Sequence, residues 1–125
     1  MKDSTNKTFN HFKIHTQYSI CEGAIKIEQL KDYCKINKIQ SLGISDTHIL
    51  SGALEFSETL SSIGTQPIIG TQILFKYKNF TGLIPLIAKN SSGYKNIIEL
   101  SSKSYLENNE ITDPHCDLED LLNKS

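Results

Sequence analysis

Four side chains in the first half of the chain belong to types that bind divalent metal ions. His15 closes a short apolar segment, Glu22 lies in the polar turn after it, and Asp46 and His48 follow a second apolar segment. Imidazole nitrogens and carboxylate oxygens bind Zn²⁺ and Mn²⁺, and carboxylates also bind Mg²⁺. A metal ion held by such groups would activate water against a phosphate ester, so these residues make metal-dependent hydrolysis one candidate function.

The same residues also have structural interpretations, which stay open at this level. His15 at the end of a strand is typical of a hydrogen-bonded histidine, and Asp46 followed by Thr47 is suited to cap the turn into a following helix. We expect His48 to face solvent and Tyr18 to pack over the mouth of the fold. These interpretations require no bound ligand.

The composition is that of one small domain. The 125 residues (14.0 kDa) include 38% hydrophobic and 22% charged residues, which is ordinary for a globular protein. A formal net charge of −1 gives no bulk electrostatic reason to bind nucleic acid or an acidic membrane. No apolar run approaches the ~20 residues of a membrane span, and the polar N-terminus lacks the apolar core of a secretory signal.

The cysteines and the N-terminus bear on compartment and domain organisation. Cys21, Cys34 and Cys116 are scattered and form no CxxC pair. This pattern favours reduced thiols, so we expect a cytoplasmic protein. Residues 1–9 are polar, and we expect a flexible lead-in there, followed by a single partial domain over residues 10–125.

Hydrophobic periodicity and turn residues predict alternating strands and helices. The predicted strands are 12–15, 40–45, an interrupted strand at 67–70 and 73–75, and 83–88. The predicted helices are 24–37, 51–63, one that begins at Asn90 or Ser91, and a short terminal one capped by Asp117. Pro85 would remove a ladder donor from the last of these strands. The order βαβαββα with a terminal helix is typical of a parallel α/β sheet or a β/α barrel.

The length limits how complete such a barrel can be. A full eightfold β/α barrel usually needs ~250 residues, about twice the length of this chain. The chain therefore predicts either a small open sheet or the first half of a larger barrel. In a half barrel Ile68, Ile69 and Phe75 would lack strand neighbours, and we would expect marginal stability, self-association or a rearranged sheet.

Four segments of the chain resemble the PHP (polymerase and histidinol phosphatase) family from about residue 9 to residue 106. They are HFKIHTQYSICEGA, SLGISDTHILSGALEF, TQPIIGTQ and LIPLIAKNSSGYKNIIELSSKSYLE. The GALEF, PIIG and AKNSSGYKNIIEL stretches are similar to the branch found in alpha subunits of bacterial DNA polymerase III. The resemblance implies an α/β fold: the N-terminal portion of a distorted PHP-type β/α barrel, an incomplete barrel of about three to four β/α units.

Active members of the family bind up to three metal ions, and the resemblance places six of their ligand positions in this chain. Two of these positions keep a ligand type, namely His15 and Glu22. The other four are degenerate and hold Lys13, Thr47, Gln72 and Leu83. An ammonium group offers no lone pair and repels a cation, while a leucine side chain has no donor atom.

The second motif departs from the family in a specific way. The family pattern there is close to LTDHGN, so its aspartate falls at Asp46 and its histidine at Thr47. His48 lies one position further on, where the pattern has glycine. A displacement by one residue changes the direction in which a side chain points, so we treat Asp46 and His48 as vestigial candidates only.

Two further features have open interpretations. Lys13 could replace a lost cation by pairing with Glu22 or Asp46. The segment Asn90–Tyr94 opens a helix whose backbone N–H groups could hold an anion, although a simple helix cap requires no ligand.

The resemblance implies a PHP domain, as a fragment or short form, of the bacterial replicative DNA polymerase III alpha subunit, with a role in DNA replication. The degenerate positions imply a structural role and docking of the proofreading exonuclease subunit, with the remainder of the alpha subunit as the other partner. No catalytic residue, cofactor, direct nucleic-acid contact or polymerase palm is expected in this chain. The alternative is a PHP-type phosphoesterase that uses Zn, Mn or Mg in a remodelled site of His15, Glu22, Asp46 and His48.

Overall fold

The computed structural model describes residues 10–19, 23–107 and 113–124. Its helices are α1 (Ile27–Asn37), α2 (Ala53–Ser61), α3 (Ser91–Leu106) and α4 (Leu118–Leu122). Its strands are β1 (Ser41–Thr47), β2 (Gln66–Tyr77), β3 (Phe80–Ile87) and β4 (Cys116–Asp117). This alternation confirms the predicted α/β fold, but the sheet is not wholly parallel as predicted: only residues 78 and 79 connect β2 to β3, and so short a turn makes the two strands antiparallel.

The sheet is built around β2. Strand β1 runs parallel to its first half, from Ser41 beside Gln66 to Thr47 beside Gln72. Strand β3 returns antiparallel along the other edge of β2, and the two residues of β4 pair in parallel with Phe75 and Lys76. The sheet does not close on itself within the described residues, which agrees with an incomplete barrel.

The predicted first strand is present only as an irregular parallel segment beside β1. The N–H of Gly43 donates to the carbonyl of His11 (2.7 Å), and the N–H of Ser45 donates to the carbonyl of Ile14 (2.8 Å). The segment advances three residues while β1 advances two, so the ladder is broken and a single bridge, Ile14 to Ile44, remains.

Strand β2 is continuous, so the predicted interruption between residues 70 and 73 is wrong. Gly70 pairs with Ser45 on one edge and with Ile87 on the other, and these two ladders hold the backbone extended through the break in the apolar pattern. Pro85 is tolerated because β3 pairs only with β2 among the described strands, and a proline on such an edge leaves no interior ladder donor missing.

The helices cover one face of the sheet. Alternate residues of the strands, such as Leu42, Ile44 and Phe75, point to this face and pack against α1, α2 and α3. The prediction that Ile68, Ile69 and Phe75 would lack strand neighbours is wrong. Ile68 and Ile69 pair with Gly43 and Ile44 of β1, and Phe75, only 3% exposed, has Gly82 and Cys116 beside it in the sheet.

The opposite face of the sheet, which we call the open face, has no helix over it in the described residues. Leu83 and Ile87 of β3 point to this side and are 44% and 49% exposed. Their exposure is what a barrel interior shows when the rest of the barrel does not cover it.

Helix α3 begins as the sequence predicts. The side chain of Asn90 accepts a hydrogen bond from the N–H of Gly93 (2.8 Å), which confirms the cap. None of the described helices is long and apolar enough to cross a membrane.

Candidate functional site

The polar residues at the carboxyl ends of β1 and β2 divide between the two faces of the sheet. Asp46 lies beside Thr71, and Thr47 lies beside Gln72. Because successive side chains of a strand alternate, Thr47 and Gln72 point to the open face, whereas Asp46 points toward α2. A Cβ on Gly52, the residue before α2, would lie 3.5 Å from Asp46 Oδ2.

Asp46 holds the loop that follows the first segment. Its carboxylate is 1% exposed, and its Oδ1 accepts hydrogen bonds from the Thr16 N–H (2.6 Å) and from Ser19 Oγ (2.8 Å). Its Oδ2 accepts a bond from Thr16 Oγ1 (2.7 Å). The predicted cap on the turn after Asp46 is therefore wrong: these three donors lie about 30 residues earlier in the chain.

One further contact ties the loop to the end of β1, and another ties β2 to the same strand end. Ser19 Oγ accepts a hydrogen bond from the N–H of Thr47 (3.0 Å), and Thr71 Oγ1 donates to the carbonyl of Asp46 (2.7 Å). Thr16, Ser19 and Thr71 are all buried. Sequence reasoning missed these hydroxyls, because short polar side chains near a turn give no signal of a partner so far away in sequence.

Tyr18 lies on the side of the helices and not over the mouth of the fold, which corrects the expectation. Its ring occupies the space beside Gly52, where an added Cβ would be 2.7 Å from the ring. Its hydroxyl donates to the carboxylate of Glu55 in α2. That hydrogen bond, followed by desolvation, raises the pKa of Tyr18 above its usual value.

Two of the degenerate positions contact each other on the open face. Gln72 Nε2 lies 3.4 Å from Thr47 Oγ1, and the Gln72 side chain is 4% exposed. The other amide atom, Gln72 Oε1, and the nearby hydroxyl of Ser45 are buried without a hydrogen-bond partner in the described part of the chain. The pair is electrically neutral, whereas a multivalent ion needs negative ligands to offset its charge.

The first segment carries Lys13 and His15 on either side of Ile14, which packs against the core on the helix side. Lys13 is exposed and His15 is half-buried. Among the described residues no ion pair joins Lys13 to Asp46, so the pairing of Lys13 with Asp46 is wrong. Glu22, its other proposed partner and a ligand candidate, falls outside the described residues.

The remaining degenerate position, Leu83, does not lie directly beside Gln72 in the sheet. It pairs with Leu74, whereas Gln72 pairs with Pro85. Within the described residues no three His, Cys, Asp or Glu side chains come close enough to form a metal-binding group.

His48 is half-buried, so the expectation that it faces solvent is wrong. Its N–H donates to the carbonyl of Gln72 (2.7 Å), and its carbonyl accepts a bond from Ser101 Oγ in α3 (3.1 Å). Its ring meets Tyr105 edge-on at 6.4 Å between centroids. The backbone has φ of +62°, a left-handed conformation that favours glycine.

Glycine at position 48 should therefore be more stable than alanine. Both His48→Gly and His48→Ala remove the ring contact with Tyr105, so their difference isolates the backbone. We expect the glycine variant to exceed the alanine variant by about 1 kcal/mol in free energy of unfolding, measured by urea denaturation. At an ordinary helical or extended position the order would be reversed, and a reversed order here would contradict the left-handed geometry.

The two described cysteines are buried thiols and not candidate nucleophiles. Cys116 donates to the carbonyl of Leu100 (3.2 Å), and burial raises its pKa to about 11. Burial also raises the pKa of Cys34. Both thiols are free, and a raised pKa keeps them protonated and unreactive near neutral pH.

Comparison with known proteins assigns the fold and the family. A sequence model of the PHP domain matches residues 11–125. DNA polymerase III alpha subunits match at 36% identity over 115 residues in Rickettsia conorii and at 35% over 123 residues in Caulobacter vibrioides. Each match covers 91% of this chain but only 10% and 11% of the relative, so the chain spans about a tenth of the length of these subunits.

A solved structure supports the fold alone. A protein from Bifidobacterium adolescentis, described as a candidate metal-dependent phosphoesterase, superimposes with a TM-score of 0.54 and 16% identity. The match covers 76% of this chain and 34% of that protein. Since the PHP sequence model covers nearly the whole chain and the backbone follows a PHP-type fold, the chain belongs to the PHP domain family.

Proposed function

We propose that this chain forms the catalytically silent PHP portion of a bacterial replicative DNA polymerase alpha subunit, in the cytoplasm. It would serve as a structural module within the rest of that subunit, and it would dock the proofreading exonuclease subunit. The relatives named above support the assignment to the alpha subunit, because they share 35–36% identity with this chain.

The contact between Thr47 and Gln72 is the main support for a catalytically inactive metal site. Both occupy positions where active family members place metal ligands, yet here they are neutral and contact each other at 3.4 Å. Lys13, at a third of the family's ligand positions, adds an exposed positive charge. A cluster of divalent ions placed there would meet repulsion where it needs anionic oxygen or imidazole nitrogen.

The structural role is supported by Asp46. Its carboxylate does not face solvent, where a metal ion could bind. It is a buried acceptor that holds the loop at Thr16 and Ser19 to the sheet. The strand ends are thereby held together by hydrogen bonds between protein groups.

Metal analysis combined with thermal melts tests the proposal. We expect the purified chain to retain no stoichiometric metal, and EDTA, Zn²⁺ or Mn²⁺ to shift its melting temperature by less than about 1 °C. A specific ion present at 100 times its Kd would instead add about 2.7 kcal/mol, which is a shift of several degrees in a domain of this size.

A variant with restored ligand types provides the matched control. The combined substitution Lys13→His, Thr47→His and Gln72→Glu returns two imidazoles and one carboxylate to three of the family's ligand positions. We expect this variant to gain metal-dependent stabilisation that the parent chain lacks. Stoichiometric metal in the parent chain, together with Mn²⁺-dependent hydrolysis of p-nitrophenyl phosphate, would overturn the proposal in favour of a remodelled phosphoesterase.

Docking of the exonuclease subunit requires its own measurement. Titration of the chain with the proofreading exonuclease subunit of the same organism, followed by calorimetry, should show a saturable one-to-one complex. The absence of heat and of co-elution at concentrations of about 100 μM would remove this part of the proposal while leaving the metal result untouched.

A further inference from the structure

The net charge of −1 conceals a strong segregation of charge along the chain. Residues 59–98 contain four lysines and no aspartate or glutamate, which gives a local charge of +4. The other residues carry nine lysines and fourteen carboxylates, a charge of −5. The bulk argument against binding to a polyanion therefore does not apply to the surface built by residues 59–98.

This segment forms β2, β3 and the start of α3, and its most exposed part is the hairpin tip between the two strands. Tyr77 and Phe80 are paired directly across the hairpin and are 51% and 76% exposed. Directly opposed residues lie about 5 Å apart between Cβ atoms and share one face of the sheet. The hairpin thus presents two adjacent aromatic rings to solvent.

One lysine contacts these rings, and a second precedes them on β2 and points to the opposite face of the sheet. The Nζ of Lys78, in the turn, lies 5.2 Å from the centroid of the Tyr77 ring. Lys76 precedes the pair on β2 and is exposed. Asp117 of β4 pairs with Lys76 in the sheet, and among the described residues no ion pair joins their side chains.

We propose that this hairpin tip, residues 76–80, is a contact site for single-stranded nucleic acid. Exposed aromatic rings stack unpaired bases, and neighbouring lysines neutralise the phosphates between them. A partner that was merely apolar would not use the lysines, and acidic side chains alone would have no flat ring to stack on Tyr77 and Phe80. Single-stranded nucleic acid uses both features.

The second pair of lysines lies at the far end of the same edge strand. Lys89 follows β3, and Lys95 lies in the second turn of α3, beside Tyr94. The eight residues of β3 separate the two pairs by roughly 25 Å. A single-stranded nucleic acid bound along the β3 edge would run from the aromatic tip to Lys89 and Lys95. Residues 59–98 contribute no carboxylate along that path.

Fluorescence anisotropy with a labelled oligothymidylate of about 12 nucleotides tests the proposal on the whole chain. We expect weak, saturable binding whose logarithm falls linearly with the logarithm of salt concentration. The double variant Lys76→Ala and Lys78→Ala should reduce that slope by about 1.4, since each phosphate contact on a single strand contributes about 0.7. The matched control, Lys26→Ala and Lys35→Ala on α1 or at its start, removes the same charge and should leave the slope nearly unchanged.

The aromatic pair should act differently from the lysines. Tyr77→Ala combined with Phe80→Ala should weaken binding at least about tenfold while leaving the salt slope unchanged, because stacking releases no counterions. Tyr33→Ala, which removes an exposed ring on α1, is the control. Far-UV circular dichroism and melting curves establish that each variant is folded.

Three results would overturn the proposal. The first is no binding of oligothymidylate by the parent chain, and the second is binding that the hairpin variants do not alter. The third is equal binding of polyglutamate with the same dependence on Tyr77 and Phe80, which would assign the site to an acidic polypeptide. None of these results depends on the metal measurements, so this inference and the proposed function fail separately.

Discussion

Replacing Asp46 by alanine is expected to lower the free energy of unfolding by about 4 kcal/mol, the largest effect of a single substitution that we predict. The change removes the acceptor for three buried donors, two on Thr16 and one on Ser19. The hydroxyls can rotate toward other acceptors, but the backbone N–H of Thr16 cannot. Urea denaturation followed by circular dichroism measures the loss.

The asparagine variant makes this prediction specific to the hydrogen bonds. Asp46→Asn keeps one carbonyl oxygen for the Thr16 N–H and Ser19 Oγ, and its new amide can donate to Thr16 Oγ1. We therefore expect a smaller loss, about 1–2 kcal/mol. Glu58→Ala, on the exposed side of α2, should change stability by less than about 0.5 kcal/mol. A loss for Asp46→Ala no larger than that for Glu58→Ala would show that the carboxylate does not hold the loop.

If the alanine variant fails to fold, the asparagine variant still measures the network. Its Thr16 amide proton should exchange with solvent faster than in the parent chain, because one charged acceptor has become neutral. Unchanged exchange and unchanged stability in the asparagine variant would contradict the role assigned to Asp46.

The elements of the fold were predictable where local pattern and tertiary environment agree. Helix α1 has its apolar residues Ile27, Leu30 and Cys34 on one stripe, and all three are buried. The cap at Asn90 was likewise predictable, since it depends on residues three positions apart. Strand β2 was not, because Gly70, Thr71 and Gln72 interrupt the apolar run and only pairing with two neighbours keeps them extended.

The location of the candidate site at the strand ends was predictable, but the hydrogen bonds of its residues were not. Polar residues at the carboxyl ends of parallel strands come together by topology, and Thr47 and Gln72 do lie side by side. The partners of Asp46 could not be derived, since they come from a loop about 30 residues earlier with no regular periodicity. The sequence does not predict that His48 is half-buried, because its left-handed backbone turns the residue toward α3 and away from solvent.

The close approach of the strands at position 70 explains why a glycine is found there. Gly70 lies between two ladders, and a Cβ there would be 2.4 Å from the carbonyl oxygen of Leu86 and 3.2 Å from that of Ile44. Both atoms belong to the backbone of neighbouring strands, so neither can move aside as the end of a side chain could.

We therefore expect Gly70→Ala to destabilise the fold by about 3 kcal/mol, because the ladder to β3 must open to admit one methyl group. Gly82 of β3 is the matched control: it lies on the neighbouring strand, and a Cβ there would meet nothing within 4 Å. Gly82→Ala should leave stability unchanged or raise it by up to about 1 kcal/mol, since alanine restricts the unfolded chain. Thermal and urea melts of the two variants measure the difference. Equal stability of the two variants would mean that β3 does not approach β2 at Gly70 as closely as the structure places it.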